Sequence, residues 1–209
     1  MDIKREKPLL LHQENLKRTK PKLSLYKALE VGYLRNPEKQ TRKLKKFGYV
    51  VDRDLTDNER LVAYNPSLQK TIFISNGSET NIMKNPQQFT KDWSHNILNI
   101  GTGNIKNSTR YKKDKQAYET AIKKYNNNVV LAGHSQAGSN LARLAHGDHQ
   151  VFTLDPALIN QKSRKNVRNF RTEGDIVSSA ANDIVTLSKK TNSLNSHDIR
   201  HIKKQPIFI

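Results

Sequence analysis

The sequence predicts an α/β fold, a mostly parallel central sheet with helices on both faces, and three observations point to it. The first is an alternation in the second half of the chain. The apolar run Val129-Val130-Leu131-Ala132 is followed by a helical stretch from Gln136 to Ala145, then by Val151-Phe152-Thr153-Leu154 and by Val167-Arg168-Asn169-Phe170-Arg171. Parallel neighbours cannot be joined by a hairpin and need a crossover, which this order supplies. The second is Ser135, which stands between the first of those strands and the helix, with Gly133, Ala137 and Gly138 around it. The third is size: 209 residues, 34% hydrophobic and 27% charged, suffice for one domain with a covered sheet, a thin core and polar loops.

The elements follow in order. Residues 1–21 are rich in Lys, Gln, Asn and Glu without a clear period and are expected to form a basic, loosely packed arm. The domain is expected to span 22–209. From Ser24, a candidate cap, apolar positions Leu25, Ala28, Leu29 and Val31 to Tyr33 recur at helical spacing, and Asn36-Pro37 marks the stop. A second helix is expected over Glu38 to Lys46. The period then shortens: Tyr49-Val50-Val51, Arg60 to Tyr64 and Thr71 to Ile74 read as strands separated by Asp, Asn and Pro punctuation. Asn85 to Ile105 show no period and have the polarity of loops. Thr109 to Lys124 carry Tyr111, Ala117, Tyr118, Ala121 and Ile122 at helical spacing, and Asn126-Asn127-Asn128 ends that helix.

Lys and Arg number 37 against 19 Asp and Glu, a formal net charge of +18. Such a charge attracts anionic lipid surfaces and polyanions without choosing between them. Its spread along the chain also suits a solvated surface. The absence of cysteine excludes disulfides and thiolate metal sites. No segment approaches the roughly 20 apolar residues of a membrane span, and Leu9-Leu10-Leu11 is too short for a signal-peptide core. A soluble protein, cytoplasmic or virion-associated, is the expectation.

A serine at the junction of a strand and a helix is held in a strained backbone conformation that presents its hydroxyl, and crowding there demands small neighbours. Gly133-His134-Ser135-Gln136-Ala137 meets these conditions. The N–H of Gln136, at the positive end of the helix, can donate to a developing oxyanion. Gly133-His134-Ser135-Gln136-Ala137-Gly138 resembles the GHSxGG core of the class 3 (fungal-type) lipases, with Ala137 where that family usually has glycine. Upstream, Thr71 to Ser75 followed by Asn76-Gly77-Ser78 is similar to the family's apolar strand and RGT tripeptide, and Asp92-Trp93 to its DW pair. The resemblance, which runs from about Leu61 to the C terminus, implies an α/β-hydrolase fold and Ser78 as the second oxyanion donor. The arginine of RGT has no counterpart. Among its members the chain resembles the compact lipase-like proteins encoded by large DNA viruses and their relatives.

A serine needs a histidine to take its proton and a carboxylate to orient that histidine, and in this fold the order is Ser, Asp, His. Two acids are candidates. Asp155, in Leu154-Asp155-Pro156-Ala157, looks like the LDPA segment of pancreatic-type lipases. Asp175, in Thr172-Glu173-Gly174-Asp175-Ile176-Val177, is similar to the D-x-V pattern of class 3 lipases and is preferred, because Asn-Gly-Ser and Asp-Trp belong to the same family. His12 and His95 precede the serine, His134 lies inside the elbow, and His146 and His149 precede both acids. His197 and His201 are left, and the resemblance favours His197. Trp93 is expected to pack as an anchor, and Asp92 to hold hydrogen bonds.

The leading reading is a serine esterase that cleaves lipid esters at anionic membrane surfaces through an acyl-serine, needing no cofactor and no metal. A catalytically inactive lipase-like protein that binds nucleic acid or a virion through its charge is the alternative. A thioesterase or peptidase on the same scaffold is a third, because the fold does not determine the leaving group.

Overall fold

The computed structural model describes residues 20–77, 108–126, 128–157, 164–175, 178, 184–188, 199 and 206–209. Its elements are α1 (Leu25–Gly32), α2 (Pro37–Lys45), β1 (Val50–Val51), β2 (Arg60–Asn65), β3 (Lys70–Ser75), α3 (Thr109–Lys124), β4 (Val129–His134), α4 (Ser135–Leu144), β5 (Val151–Leu154), β6 (Val167–Thr172) and β7 (Ile184–Leu187). The helix starts are set by side chains that satisfy orphan N–H groups. Ser24 Oγ accepts from the Lys27 N–H at 3.2 Å, and Ser108 Oγ from that of Tyr111 at 3.1 Å. Asn36-Pro37, expected only to stop α1, also starts α2. Asn36 Oδ1 accepts from the Lys39 N–H at 2.8 Å, and Pro37 occupies the first turn, where its missing N–H costs nothing.

The strands form one sheet in the order β1-β2-β3-β4-β5-β6-β7. β1, β2 and β3 pair antiparallel, and β3 to β7 run parallel. The sheet is therefore mostly parallel, as the alternation of strands and helices requires. β3, β4 and β5 step the same way across it, and right-handed crossovers then put both connecting helices on one face. Accordingly Tyr111, Tyr118 and Ala121 of α3 and Leu141, Ala142 and Leu144 of α4 share a core with Val62, Phe73, Val129, Leu131 and Val151. The alternate strand residues Leu61, Ala63, Ile72, Ile74, Val130 and Ala132 face the other way, against Leu25, Ala28 and Leu29 of α1 and Leu44 of α2. The period of two along each strand is what divides the apolar residues between two cores.

Two features were not anticipated. β7 pairs with β6 at the sheet edge, and its Val185 is exposed. The last residues return to α1: Leu25 N–H donates to Ile207 O at 2.7 Å and Ile209 N–H to Leu23 O at 3.1 Å. At the other end of the sheet Asp52, which follows β1, ties that strand to the C-terminal end of α3. Its Oδ2 accepts from Tyr125 Oη at 2.6 Å and Lys124 Nζ at 2.7 Å, and its Oδ1 from the Asp54 and Leu55 N–H groups.

Candidate active site

β4 ends at His134 and α4 begins at Ser135, with no residue between them. Ser135 therefore makes the whole change of direction, and its φ is +56°. An L-residue in that region is strained by about 1–2 kcal/mol, so the surrounding packing must hold it there. The packing is visible at the glycines. A Cβ on Gly133 would lie 2.7 Å from Gly138 Cα, 2.8 Å from Gly138 N and 3.0 Å from Ala137 C. The closest approach across the turn is thus between Gly133 and Gly138. Ser135 is 5% exposed, and Gln136 supplies the next N–H of the helix start.

The two acids lie past the ends of β5 and β6, at the C-terminal edge of the parallel strands, where open α/β sheets bind ligands. Asp155 follows β5, whose Leu154 pairs with His134 of β4. It also has a positive φ, +46°. Its carboxylate is fully buried and joins β5 to β6: Thr172 N–H donates to Oδ1 at 2.5 Å and Thr172 Oγ1 to Oδ2 at 2.9 Å. Asp175 lies past the end of β6 in a turn closed by its own N–H, which donates to Thr172 O at 3.0 Å, with Gly174 at φ +77°. It is 5% exposed, and its Oδ2 accepts from Ser178 N–H at 2.9 Å and Ser178 Oγ at 2.5 Å. Thr172 therefore serves both aspartates, with its side chain and N–H on one and its carbonyl on the other. Ser78, His197, His201, Asp92 and Trp93 lie outside the described residues.

His134 is turned away from Ser135 toward α1, where its Nδ1 lies 2.6 Å from Tyr33 Oη. Tyr33 Oη also accepts from Gly77 N–H at 2.8 Å. His149 Nδ1 and the His146 N–H engage Tyr118 Oη, the latter at 3.2 Å, so both histidines serve the α3 packing.

Beneath the site lies a polar network that the sequence reading passed over. Asp114, fully buried on α3, accepts from Arg60 Nη1 at 3.1 Å, from Ser75 Oγ at 3.4 Å and from Asn140 Nδ2 at 3.5 Å. Burial pushes its carboxyl above the usual range, and the nearby Arg110 and Arg60 pull against that push. Arg110 also donates from Nη2 to Asn76 O, so the network reaches the chain leaving β3. The signal was present: Asp114 falls on the stripe Tyr111, Tyr118 and Ala121 at helical spacing, a charged residue on an apolar face.

A mostly parallel sheet of this order, with a strained serine between β4 and the helix it feeds, is an α/β architecture similar to that of a solved lipase. The crystal structure of the Lip2 lipase from Yarrowia lipolytica is similar to it with a TM-score of 0.50, over 78% of this chain and 76% of that one, at 11% identity. At that identity the likeness is one of fold. No protein-family model matches the sequence, and neither does any curated protein. Among the described residues no helix is long and apolar enough to cross a membrane.

Proposed function

We propose that the chain is a serine hydrolase that cleaves carboxylic esters, of lipids by preference, through an acyl-serine intermediate. The observation that carries the reading is Ser135 at φ +56°, between β4 and α4 at the C-terminal edge of the sheet. Strain of this kind persists where the surroundings over-determine it, and it gathers at reactive residues. Ser135 Oγ attacks the ester carbonyl carbon while His197 takes its proton. The tetrahedral oxyanion rests on the N–H groups of Gln136 and Ser78, and its collapse expels the alcohol, which leaves with the proton from His197. Water then attacks the acyl-serine by the same route, with His197 as base, and frees the acid.

Asp175 is the acid of the reading, orienting His197, while Asp155 ties β5 to β6. What supports this division is the D-x-V pattern in which Asp175 stands, which resembles the class 3 lipases, together with the place of the fully buried Asp155 between β5 and β6, where Thr172 N–H and Oγ1 donate to its two oxygens. The net charge of +18 supports work at anionic phospholipid interfaces. The comparison lends nothing to the narrower resemblance to virus-encoded proteins.

Fluorophosphonate labelling tests the reading, with and without mixed micelles of an anionic phospholipid. Wild-type chain is expected to be labelled and Ser135→Ala not. An unlabelled wild type that binds DNA in a salt-sensitive manner would instead support the inactive, charge-driven binding protein.

A further inference from the structure

We propose that Tyr33 is a positioning residue that holds the chain after β3 against the serine turn, so that the oxyanion donors stand at a constant distance from Ser135. The inference rests on the hydrolase reading above. Tyr33 follows α1, distant in sequence from every residue of the proposed triad, yet its hydroxyl stands between the two segments that must cooperate. Gly77 N–H donates to Tyr33 Oη at 2.8 Å, and His134 Nδ1 lies 2.6 Å from the same oxygen. A tyrosine hydroxyl has one hydrogen to give and lone pairs to accept. Gly77 takes it as acceptor, and in the tautomer with the imidazole proton on Nε2 its hydrogen goes to His134 Nδ1. The ring edges meet as well, with centroids 5.7 Å apart at 74°.

Gly77 itself is wedged at the junction. A Cβ there would lie 2.9 Å from Tyr33 Oη, 3.0 Å from Ser135 Cβ and 3.1 Å from His134 O. The main chain at 77 thus passes against the nucleophile with no room for a side chain, and Tyr33 anchors it by its only N–H. α1 adds a second tie next to the first, Asn76 Nδ2 donating to Gly32 O at 2.7 Å. The residue after Gly77 is Ser78, the proposed second donor. Oxyanion stabilisation depends on donors that need no reorganisation when charge develops, and a hydroxyl that bridges Gly77 to the residue before Ser135 provides that rigidity. His134, which does no proton transfer in this reading, becomes the other end of the tether.

The test is Tyr33→Phe, which removes the hydroxyl and keeps the ring. With a soluble p-nitrophenyl ester, kcat is expected to fall about 10- to 100-fold, less than or equal to the loss of a whole oxyanion donor. KM should stay within about twofold, because the interaction lost matters in the transition state. Hydrogen exchange at the Gly77 amide should accelerate. His134→Phe should reproduce both effects, the double variant should add nothing further, and His134→Asn, whose amide oxygen can accept from Tyr33, should restore most of kcat. A thermal melt of each variant verifies that it is folded. A labelled wild type alongside Tyr33→Phe with unchanged kcat and unchanged Gly77 exchange overturns this role alone. A folded wild type that is not labelled at Ser135 overturns the hydrolase reading and this role together.

Discussion

Gly133→Ala asks how tightly the serine turn is built. An added Cβ would sit 2.7 Å from Gly138 Cα and 2.8 Å from Gly138 N, both main-chain atoms that cannot rotate aside. Ordinary carbon contacts start near about 3.5 Å, so α4 must retreat from β4 by about 0.8 Å, or the strand must bend. Overpacking of this kind costs about 1–3 kcal/mol, and the absence of a flexible neighbour puts this case at the upper end. For a domain of this length that corresponds to a fall in Tm of about 6–12 °C. Because Ser135 is the first residue of α4, the same retreat moves the nucleophile, and a misplacement near 1 Å lowers reactivity by about 10²-fold. Gly138→Ala is the internal control. Its Cβ would lie 3.0 Å from Gly133 O and 3.1 Å from Thr153 Cβ, and replacing a helical glycine by alanine returns up to about 0.8–1 kcal/mol of helix propensity. The expected order is therefore a near-neutral Tm for Gly138→Ala and a large loss for Gly133→Ala. Differential scanning calorimetry and single-turnover fluorophosphonate labelling measure the two quantities. A Gly133→Ala chain that melts within about 2 °C of wild type and labels at the wild-type rate would refute the argument.

Two further outcomes follow from the carboxylates. Asp175→Asn should lower kcat by about 10⁴-fold with little change in Tm, whereas Asp155→Asn should mainly lower Tm, since Thr172 N–H and Oγ1 both donate to that carboxylate; ester turnover and melting of both variants decide, and a reversed pattern makes Asp155 the acid. Asp52 gives a pH dependence: burial works to raise its carboxyl, but the hydrogen bonds of Lys124 and Tyr125 and the Lys124 charge outweigh burial and leave it below the usual aspartate range. A carboxyl depressed on folding contributes stability above its unfolded pKa and loses it as pH falls through the folded one. Wild type should therefore exceed Asp52→Asn in stability at pH 7, and the gap in urea melts should close as the pH drops below about 4; a gap that is constant with pH would contradict the assignment.

Local chemistry is what the sequence carried on its own. The helix start at Ser24 is legible because a cap and the N–H it satisfies lie three residues apart; the caps at Asn36 and Ser108 have the same local geometry, but the sequence pattern marked Asn36-Pro37 only as a stop and did not single out Ser108. The bounds of α3 and β5 agree with the periodicity, because each run's apolar spacing is local to it. The serine turn was legible too, since its strand, its small residues and its helix are contiguous. β7 was not: it is four residues long and lies at the sheet edge, with Ile184, Val185 and Thr186 not buried, so no alternation marks it.

Only the tertiary structure decided which distant groups meet. Tyr33 is separated by 44 positions from Gly77 and by 101 from His134, and nothing in the local pattern of α1 distinguishes its hydroxyl from a surface one. Asp114 could be picked out as a misfit on an apolar stripe, but its partners Arg60, Ser75 and Asn140 come from three other elements. Asp155 and Asp175 look equivalent as residues just past strands, but because β5 and β6 are adjacent, Thr172 of β6 donates to the Asp155 carboxylate, whereas the carboxylate of Asp175 accepts from Ser178. A sequence determines a residue's chemistry and the conformation of its near neighbours, whose contacts close over three or four positions. Contacts that close across the sheet depend on strand order and helix packing, which are properties of the whole buried core.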